Sequence, residues 1–406
     1  MLYKSEFFFF PVGQGLFSYG VIKLLDNREI FSWVYDCGTS SSQKLVTNSI
    51  SQLCLLKKRK RIDVVFISHF DKDHVSGVLQ LLHKLPVSLL VMPYFSSEDA
   101  VIQVLLGNFE IGSDAFKMAV DPVGFLENKG IRVGAILQVP AGKESNDTGK
   151  EEKISLNDEE MYLFFSYTQK EVVSGVTVYK KKIGENISFE RVWDFYTHNR
   201  RLDVTLPCRL KKRIKLTANK PSSLTEATLN KFKKEYGKVF GGNDKDRNII
   251  STFVYAEPSW GFDKVAVMED EFLKNDDLAI KFFSELGFGS DDVKNGIFYT
   301  GDGFLYSSKD IDELFESEIF KGRGSIGCYC FQVMHHGSKK NFNKSLVNIL
   351  NPVYSVFSSN PEHKKYRHPC KKVVLALYKN GPVQVDKCNG FRSGFYFMEL
   401  LNGKRH

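Results

Sequence analysis

No run of this sequence comes near the roughly 20 consecutive apolar residues that a membrane-crossing helix requires, so a spanning helix is not expected. The opening MLYKSEFFFFPVGQG has neither a long apolar core nor a small-residue cleavage site, and does not read as a secretory signal. Cysteine is scarce and unpatterned. The seven cysteines, Cys37, Cys54, Cys208, Cys328, Cys330, Cys370 and Cys388, are odd in number and include no Cys-x-x-Cys pair. That argues against a disulfide scaffold or a cysteine-rich zinc site, and suits reduced thiols. Internal repeats and low-complexity tracts are also lacking. The expectation is a soluble, cytoplasmic protein with no membrane association.

What is present is the material of a large core: 406 residues, 42% of them hydrophobic, enough for one large domain or two ordinary ones. The formal charge is +8, which favours anionic partners. Its distribution is uneven. Residues 170–247 alone carry about +10, including KKK at 180–182 and RLKKRIK at 209–215. Such a stretch reads either as a solvated lysine-rich face or as a surface that tracks phosphates.

Aromatic and β-branched runs recur in the first third, EFFFFPV, FSYGVIKLL, IFSWVYD and DVVFISH, and predict strands. In VSGVLQLLHKL, residues Val75, Val78, Leu79, Leu82 and Leu85 fall at helical spacing and predict one amphipathic helix ending at Pro86. VSLLVMPY returns to strand. Alternation of this kind predicts an α/β fold whose chemistry sits in loops at strand ends. Between 141 and 247 the texture turns polar and basic, which predicts an insertion, a lid or recognition element, within a single domain spanning 1–406. Strand texture resumes at 248 with NIISTFVYAE, GIFYTGDG, CYCFQVMHHGS and PVYSVFSSN.

Chemistry concentrates in ISHFDKDHVSG, residues 67–77. His69, Asp71 and Asp73 alternate along an extended stretch and so project to one side, with His74 turning into the helix. Clustered aspartates without a cation repel and force one carboxyl pKa upward; a divalent ion removes that conflict. The plainer alternative is a helix cap, in which Asp71 or Asp73 accepts from first-turn amides. Two further strand ends bear ligand types, Gly301-Asp302 and His335-His336-Gly337-Ser338. One Gly-Asp turn is weak by itself; three strand ends bearing His and Asp form a constellation.

The ordered set resembles the metallo-β-lactamase superfamily, and within it the hydrolase domain of the ComEC competence-protein family. HFDKDH is similar to the superfamily's H-x-H-x-D-H motif, with Asp71 in place of its second histidine as in ComEC-like members. PVGQGLF (11–17) resembles the V-G-Q-G-D turn, with Leu16 at its acidic position, and YDCGTS (35–40) the early strand ending in an aspartate. RNIISTFV (247–254), YTGDG, MHHGS and YRHP (366–369) are similar to the later motifs. The resemblance spans nearly the whole chain; the basic insertion and the lack of ComEC's membrane channel depart from it.

The resemblance implies an αββα sandwich with two divalent metals, Zn²⁺ or Mn²⁺ with Mg²⁺ also admitted, at one edge. One ion would take His69 and Asp71, with Asn248 where many members have a third histidine; the other would take Asp73, His74 and His336, and Asp302 would bridge. Asp36 and Ser338 would brace these ligands. Two such ions activate a water for in-line attack on a phosphodiester, with Asp73 steering its proton and His335 or His368 serving the leaving group. DNA is the expected substrate, gripped by Arg209, Lys211, Lys212 and Arg213 with little sequence reading. Phe189, Trp193, Phe195 and Tyr196 read as core of a small subdomain, with base stacking as the alternative. Two other readings stay open: a hydrolase of cyclic nucleotides or another small phosphorylated substrate, and a toxin-like or defence effector whose insertion docks a regulatory protein partner.

Overall fold

In the computed structural model, the described residues are all but 107–112, 143–147, 157–160, 201–207, 219–224, 241–250, 260–263, 267–293, 321–325, 364–366 and 399–406. The chain opens with an antiparallel meander, β1 (Leu2–Phe9), β2 (Phe17–Leu24) and β3 (Glu29–Cys37). Three strands then add in parallel to β3, separated by helices: α1 (Gln43–Leu56), β4 (Ile62–Phe66), α2 (Lys72–Val75), α3 (Val78–Lys84), β5 (Val87–Pro93), α4 (Ser97–Leu106), α5 (Asp114–Val120), α6 (Pro122–Asn128) and β6 (Val133–Val139). Every residue of β3, β4 and β5 is buried, as expected of strands covered on both faces.

The expected single helix over VSGVLQLLHKL is broken. Gly77 lies between α2 and α3, its N–H donating to Cys37 O at 2.8 Å, and a Cβ there would meet Val46 Cγ2 at 2.6 Å. The end of β3 therefore presses on the chain where the helix would continue.

Most of the 141–247 segment runs inside the sheet. It contributes β7 (Lys150–Ser155), β8 (Tyr162–Val173), β9 (Val176–Lys181), β10 (Ile187–Phe189) and β11 (Trp193–His198), followed by α7 (Cys208–Ala218) and α8 (Glu226–Phe240). β9 extends the first arm by pairing in parallel with β6. β8 pairs with β9 along its second half and with β10 along its first, so one strand belongs to both arms. The second arm continues through β12 (Phe253–Pro258), β14 (Gly296–Tyr299), β15 (Cys328–Gln332), β16 (Tyr354–Ser358) and β17 (Pro382–Val385), while β13 (Lys264–Ala266) and β18 (Phe391–Met398) complete the first arm beside β1. Helices α9 (Ser308–Phe315), α10 (Leu346–Leu350) and α11 (Lys371–Ala376) accompany the second arm.

The fold is thus mixed α/β, with a large continuous sheet. Facing side chains of the two arms form one core cluster, in which Phe31 stacks on Phe189 at 4.3 Å, Tyr35 on Tyr299 at 4.6 Å and Trp33 on Trp193 at 5.4 Å. Phe189, Trp193 and Phe195 are buried there, which excludes them from stacking on bases. A second cluster joins the first arm to its helices and takes in Leu210, Ile214, Leu229 and Phe232, through which α7 and α8 pack beside α4. A third joins the second arm to Leu314, Leu346 and Leu377. Among the described residues no helix is long and apolar enough to cross a membrane, and all seven cysteines are free.

Candidate metal centre

The parallel strands β3 and β4 of one arm, and β14, β15 and β16 of the other, end at a common edge, and the loops leaving them supply the site. Backbone contacts lock these loops together. Leu16 N donates to Asp73 O at 3.0 Å, Thr252 N to Ser68 O at 2.8 Å and His335 N to Gly301 O at 3.0 Å. Gly15 and Gly38 let the chain come this close, since a Cβ on either would fall within 3 Å of the backbone at Asp73 or His74. The turn after β15 is strained. His335, His336 and Gly337 take φ of 44°, 57° and 84°, conformations that cost non-glycine residues on the order of 1–3 kcal/mol each.

This scaffold brings Asp73, His74, Asp302 and His336 together, their ligand atoms all within 4.8 Å of one another. His74 Nδ1 donates to Asp36 Oδ2 at 2.7 Å, which leaves Nε2 3.0 Å from Asp302 Oδ1. His336 Nδ1 donates to Ser358 O at 2.5 Å, and its Nε2 lies 3.1 Å from Asp73 Oδ2 and 3.6 Å from Asp302 Oδ1. Fixing one imidazole nitrogen so that the other faces a centre is how histidine ligands are oriented in metal sites.

His69 is held by a relay. Asp36 accepts from Ser68 N at 2.7 Å and from Ser68 Oγ at 2.6 Å. The single hydroxyl proton of Ser68 is therefore spent on Asp36, so Ser68 Oγ accepts from His69 Nδ1 at 2.8 Å. His69 Nε2 then presents a lone pair, 3.8 Å from Asp71 Oδ2 and 3.9 Å from Asp302 Oδ2, buried and without a hydrogen-bond partner among the described residues.

The electrostatics describe a centre organised around positive charge. Burial pushes the Asp302 carboxyl up, but the charges of His335, His74 and His336 outweigh it and hold it well below the usual carboxylate range. Asp73, pushed up by burial, is pulled to about 2, chiefly by its hydrogen bond to His336 and the charges of His74 and His336. Burial lowers His74, yet Asp302 and Asp36 raise it well above the ordinary imidazole value. Burial and then His74 depress His69 to about 3, so it stays neutral. Protons on His74 and His336 balance the acids where a cation would otherwise do so. The lone pair on His69, the acids and the fixed imidazoles fit a divalent ion, as hard oxygen plus imidazole donors do.

The other expected site residues fall as follows. Asp71 stands at the N-cap of α2 without accepting a capping bond, so the helix-cap alternative does not describe it. His335 Nε2 lies 3.8 Å from Asp302 Oδ2 with its side chain 27% exposed, and its ring is 5.8 Å from that of His368. Ser338 is buried and braces the turn: its N–H donates to His335 O at 2.9 Å and its Oγ accepts from Lys340 N at 3.3 Å. Asn248 and Tyr366 lie outside the described residues. On α7, Arg209 and Lys212 are exposed, whereas Arg213 Nη1 is bound to Glu235 at 2.6 and 2.7 Å; Lys211 lies in the helix, its side chain outside the described set. Gln332, which fixes the Asp302 turn by accepting from Thr300 N and Gly301 N at 2.8 Å each, carries no sequence signal of its own, and neither do Ser68 and Ser358.

No family model matches the chain, and no curated protein matches it. Among solved structures it is similar to one titled "Peroxy diiron species of chemotaxis sensor ODP", at 15% identity over 47% of this chain, with a TM-score of 0.21. The match spans 57% of the length of that structure's chain.

Proposed function

We propose that the chain is a metal-dependent phosphodiesterase of the metallo-β-lactamase type, ComEC-like, with an αββα arrangement of its two sheet arms and with DNA as its substrate. The observation that carries this reading is the convergence of Asp73, His74, Asp302 and His336 within 4.8 Å, beside the unpartnered lone pair of His69. Asp73, His74, Asp302 and His336 would hold one ion, and His69 and Asp71 with Asp302 a second, the acid-rich set favouring Mn²⁺ or Zn²⁺. When bound, such ions supply Lewis acidity toward a phosphoryl oxygen and toward water.

The chain's own groups set the rest. Asp73, ionised and aimed by His336, can take a proton from an attacking water. His335 and His368, side by side at the rim, can donate to a phosphate oxygen or a leaving group; burial, with the charges of His336 and His335, depresses His368 to about 4. Support for a polyanionic substrate comes from the net charge of +8 and from Arg209, Lys212, Lys215, Lys231 and Lys234, all exposed on α7 and α8. Purified protein is expected to carry stoichiometric metal by elemental analysis and to cut DNA in Mn²⁺ or Zn²⁺. Asp302→Asn should lower metal content and abolish hydrolysis with the fold intact by circular dichroism. Full metal occupancy and activity in that variant would remove the assignment.

A further inference from the structure

Asp302 is followed by a short segment, Gly303-Phe304-Leu305-Tyr306, that leads from the metal centre to α9. Its backbone is held from several sides. Asn341 Nδ2 donates to Asp302 O at 3.1 Å and to Gly303 O at 3.3 Å, Arg200 Nη1 to Phe304 O at 2.8 Å and Asn343 Nδ2 to Tyr306 O at 2.7 Å. Leu305 N donates to Asn341 O at 2.9 Å, and Leu305 bridges in parallel to Phe342, so the segment lies beside 341–343. At its far end Asp310 Oδ2 accepts from Tyr306 N at 3.1 Å and from Ser307 N at 2.7 Å.

Leu305 and Phe342 are buried in the third core cluster. The residues flanking Leu305 are aromatic and reach solvent: Phe304 is partly buried and Tyr306 is 55% exposed, their rings 6.1 Å apart. A lone exposed ring calls for no explanation. Two adjacent rings on a backbone fixed at four carbonyls, beginning at a candidate metal ligand, are a different matter, because such a surface binds without the cost of ordering itself.

Charge divides the two flanks. Lys339, Lys340 and Lys344 are exposed on the neighbouring stretch, which continues directly from the His336 turn, and none of them is in an ion pair among the described residues. Cys370 N donates to Gly337 O at 3.0 Å, which brings the exposed Arg367, Lys371 and Lys372 beside the same turn. On the opposite flank α9 and its C-cap expose Asp312 and Glu316, while Glu313 is bound to Arg200 at 3.1 Å. A polyanion laid here keeps its phosphates on the lysine side, away from the acids, and its bases reach the rings. A duplex hides its bases in the stack and gains nothing from Phe304 and Tyr306; an unpaired strand does. Tyr306 is four residues from Asp302, within about 14 Å along the chain even if fully extended, so a base on its ring belongs to a nucleotide near the one at the metal centre.

We propose that segment 303–306, with Lys339, Lys340 and Lys344 beside it, is a track for single-stranded DNA, on which the rings stack bases and the lysines follow phosphates. That the track feeds hydrolysis rests on the phosphodiesterase reading; its binding of a strand does not. Fluorescence anisotropy on the full chain in chelator would compare a short labelled oligothymidylate with an abasic strand and a duplex of the same length. The oligothymidylate should bind at least tenfold more tightly than the abasic strand. Tyr306→Ala, checked for folding by circular dichroism, should lower its affinity about tenfold without affecting the abasic strand or the duplex, and Tyr306→Phe should keep the native affinity. Lys339→Gln with Lys340→Gln should weaken both single strands alike and flatten the salt dependence. Equal affinity for oligothymidylate and abasic strand, or undiminished binding by Tyr306→Ala, overturns the track. A chain that meets these expectations yet cleaves no DNA with any metal retains the track and loses the phosphodiesterase reading; one that cleaves DNA while Tyr306→Ala binds oligothymidylate as the native chain does keeps the activity and loses the track.

Discussion

His69 shows how little of a side chain's chemistry resides in the side chain itself. Its position at the end of an apolar run is enough to mark it in the sequence, as is true of Asp73, His74, Asp302 and His336, because charged and imidazole groups clustered at strand ends have few purely structural uses. What makes its Nε2 a donor is Ser68, which passes its one proton to Asp36 and so obliges His69 to place its own on Nδ1. Serine is commonplace in loops, and nothing local distinguishes Ser68, Gln332 or Ser358; their roles depend on segments remote in sequence. Ser68→Ala is expected to weaken metal binding by roughly 10–100-fold, the usual effect of losing such support, measured by competition with a chromogenic chelator. Unchanged affinity would show that the relay does not orient His69. His198 yields a prediction about acid. Its folded pKa of about 4 lies below the ordinary 6.5 because burial, then Arg200, disfavours the cation. The unfolded chain takes up this proton near 6.5, so stability is undiminished above that pH and falls as pH drops toward 4, by about 1.4 kcal/mol per unit. Urea denaturation at pH 7 and at pH 4.5 should show His198→Phe losing less stability than the native chain over that interval; equal losses would acquit His198.

Elements are legible where periodicity and burial agree. The runs that form β3, β4 and β5 are unambiguous because parallel strands need apolar residues on both faces. The helix after the metal loop reads as continuous in the sequence because spacing alone does not reveal that Cys37 and Val46 crowd Gly77. The 141–247 segment is harder still: its polar texture describes β7 and the solvent side of β8, but β9 and β11 are tied into the arms by pairings across long stretches of chain. Only α7 and α8 stand apart as helices with a basic outer face. Replacing Arg209, Lys212 and Lys215 with glutamine should weaken DNA binding and flatten its dependence on salt, by up to about 0.9 in logarithmic slope for each phosphate no longer neutralised. The core-facing Leu210 and Ile214 are untouched, so stability should change little. A salt slope equal to that of the native chain would take this helix out of the DNA path.

The whole molecule gathers its site from loops far apart in sequence, with acids and imidazoles balanced by protons where metal would bind. Metal should therefore stabilise the fold, by about 4 kcal/mol at a thousandfold excess over the dissociation constant, seen as a rise in the melting midpoint with Mn²⁺ or Zn²⁺ that Asp302→Asn abolishes. An unshifted midpoint would mean that the ligands do not act together. The mixed α/β class is legible in the alternation of runs. That one sheet is continuous is not, because β8 reads as an ordinary amphipathic strand while pairing with β7 and β10 along its first half and with β9 along its second.

That shared ribbon acts as a seam. A break at the exposed Ser174-Gly175 turn spares it, so a circular permutant opened there should keep both halves stitched together, whereas a nick near Ser166 unpicks the stitch between them. Calorimetry of the native chain should accordingly record one melting event, the two halves going together.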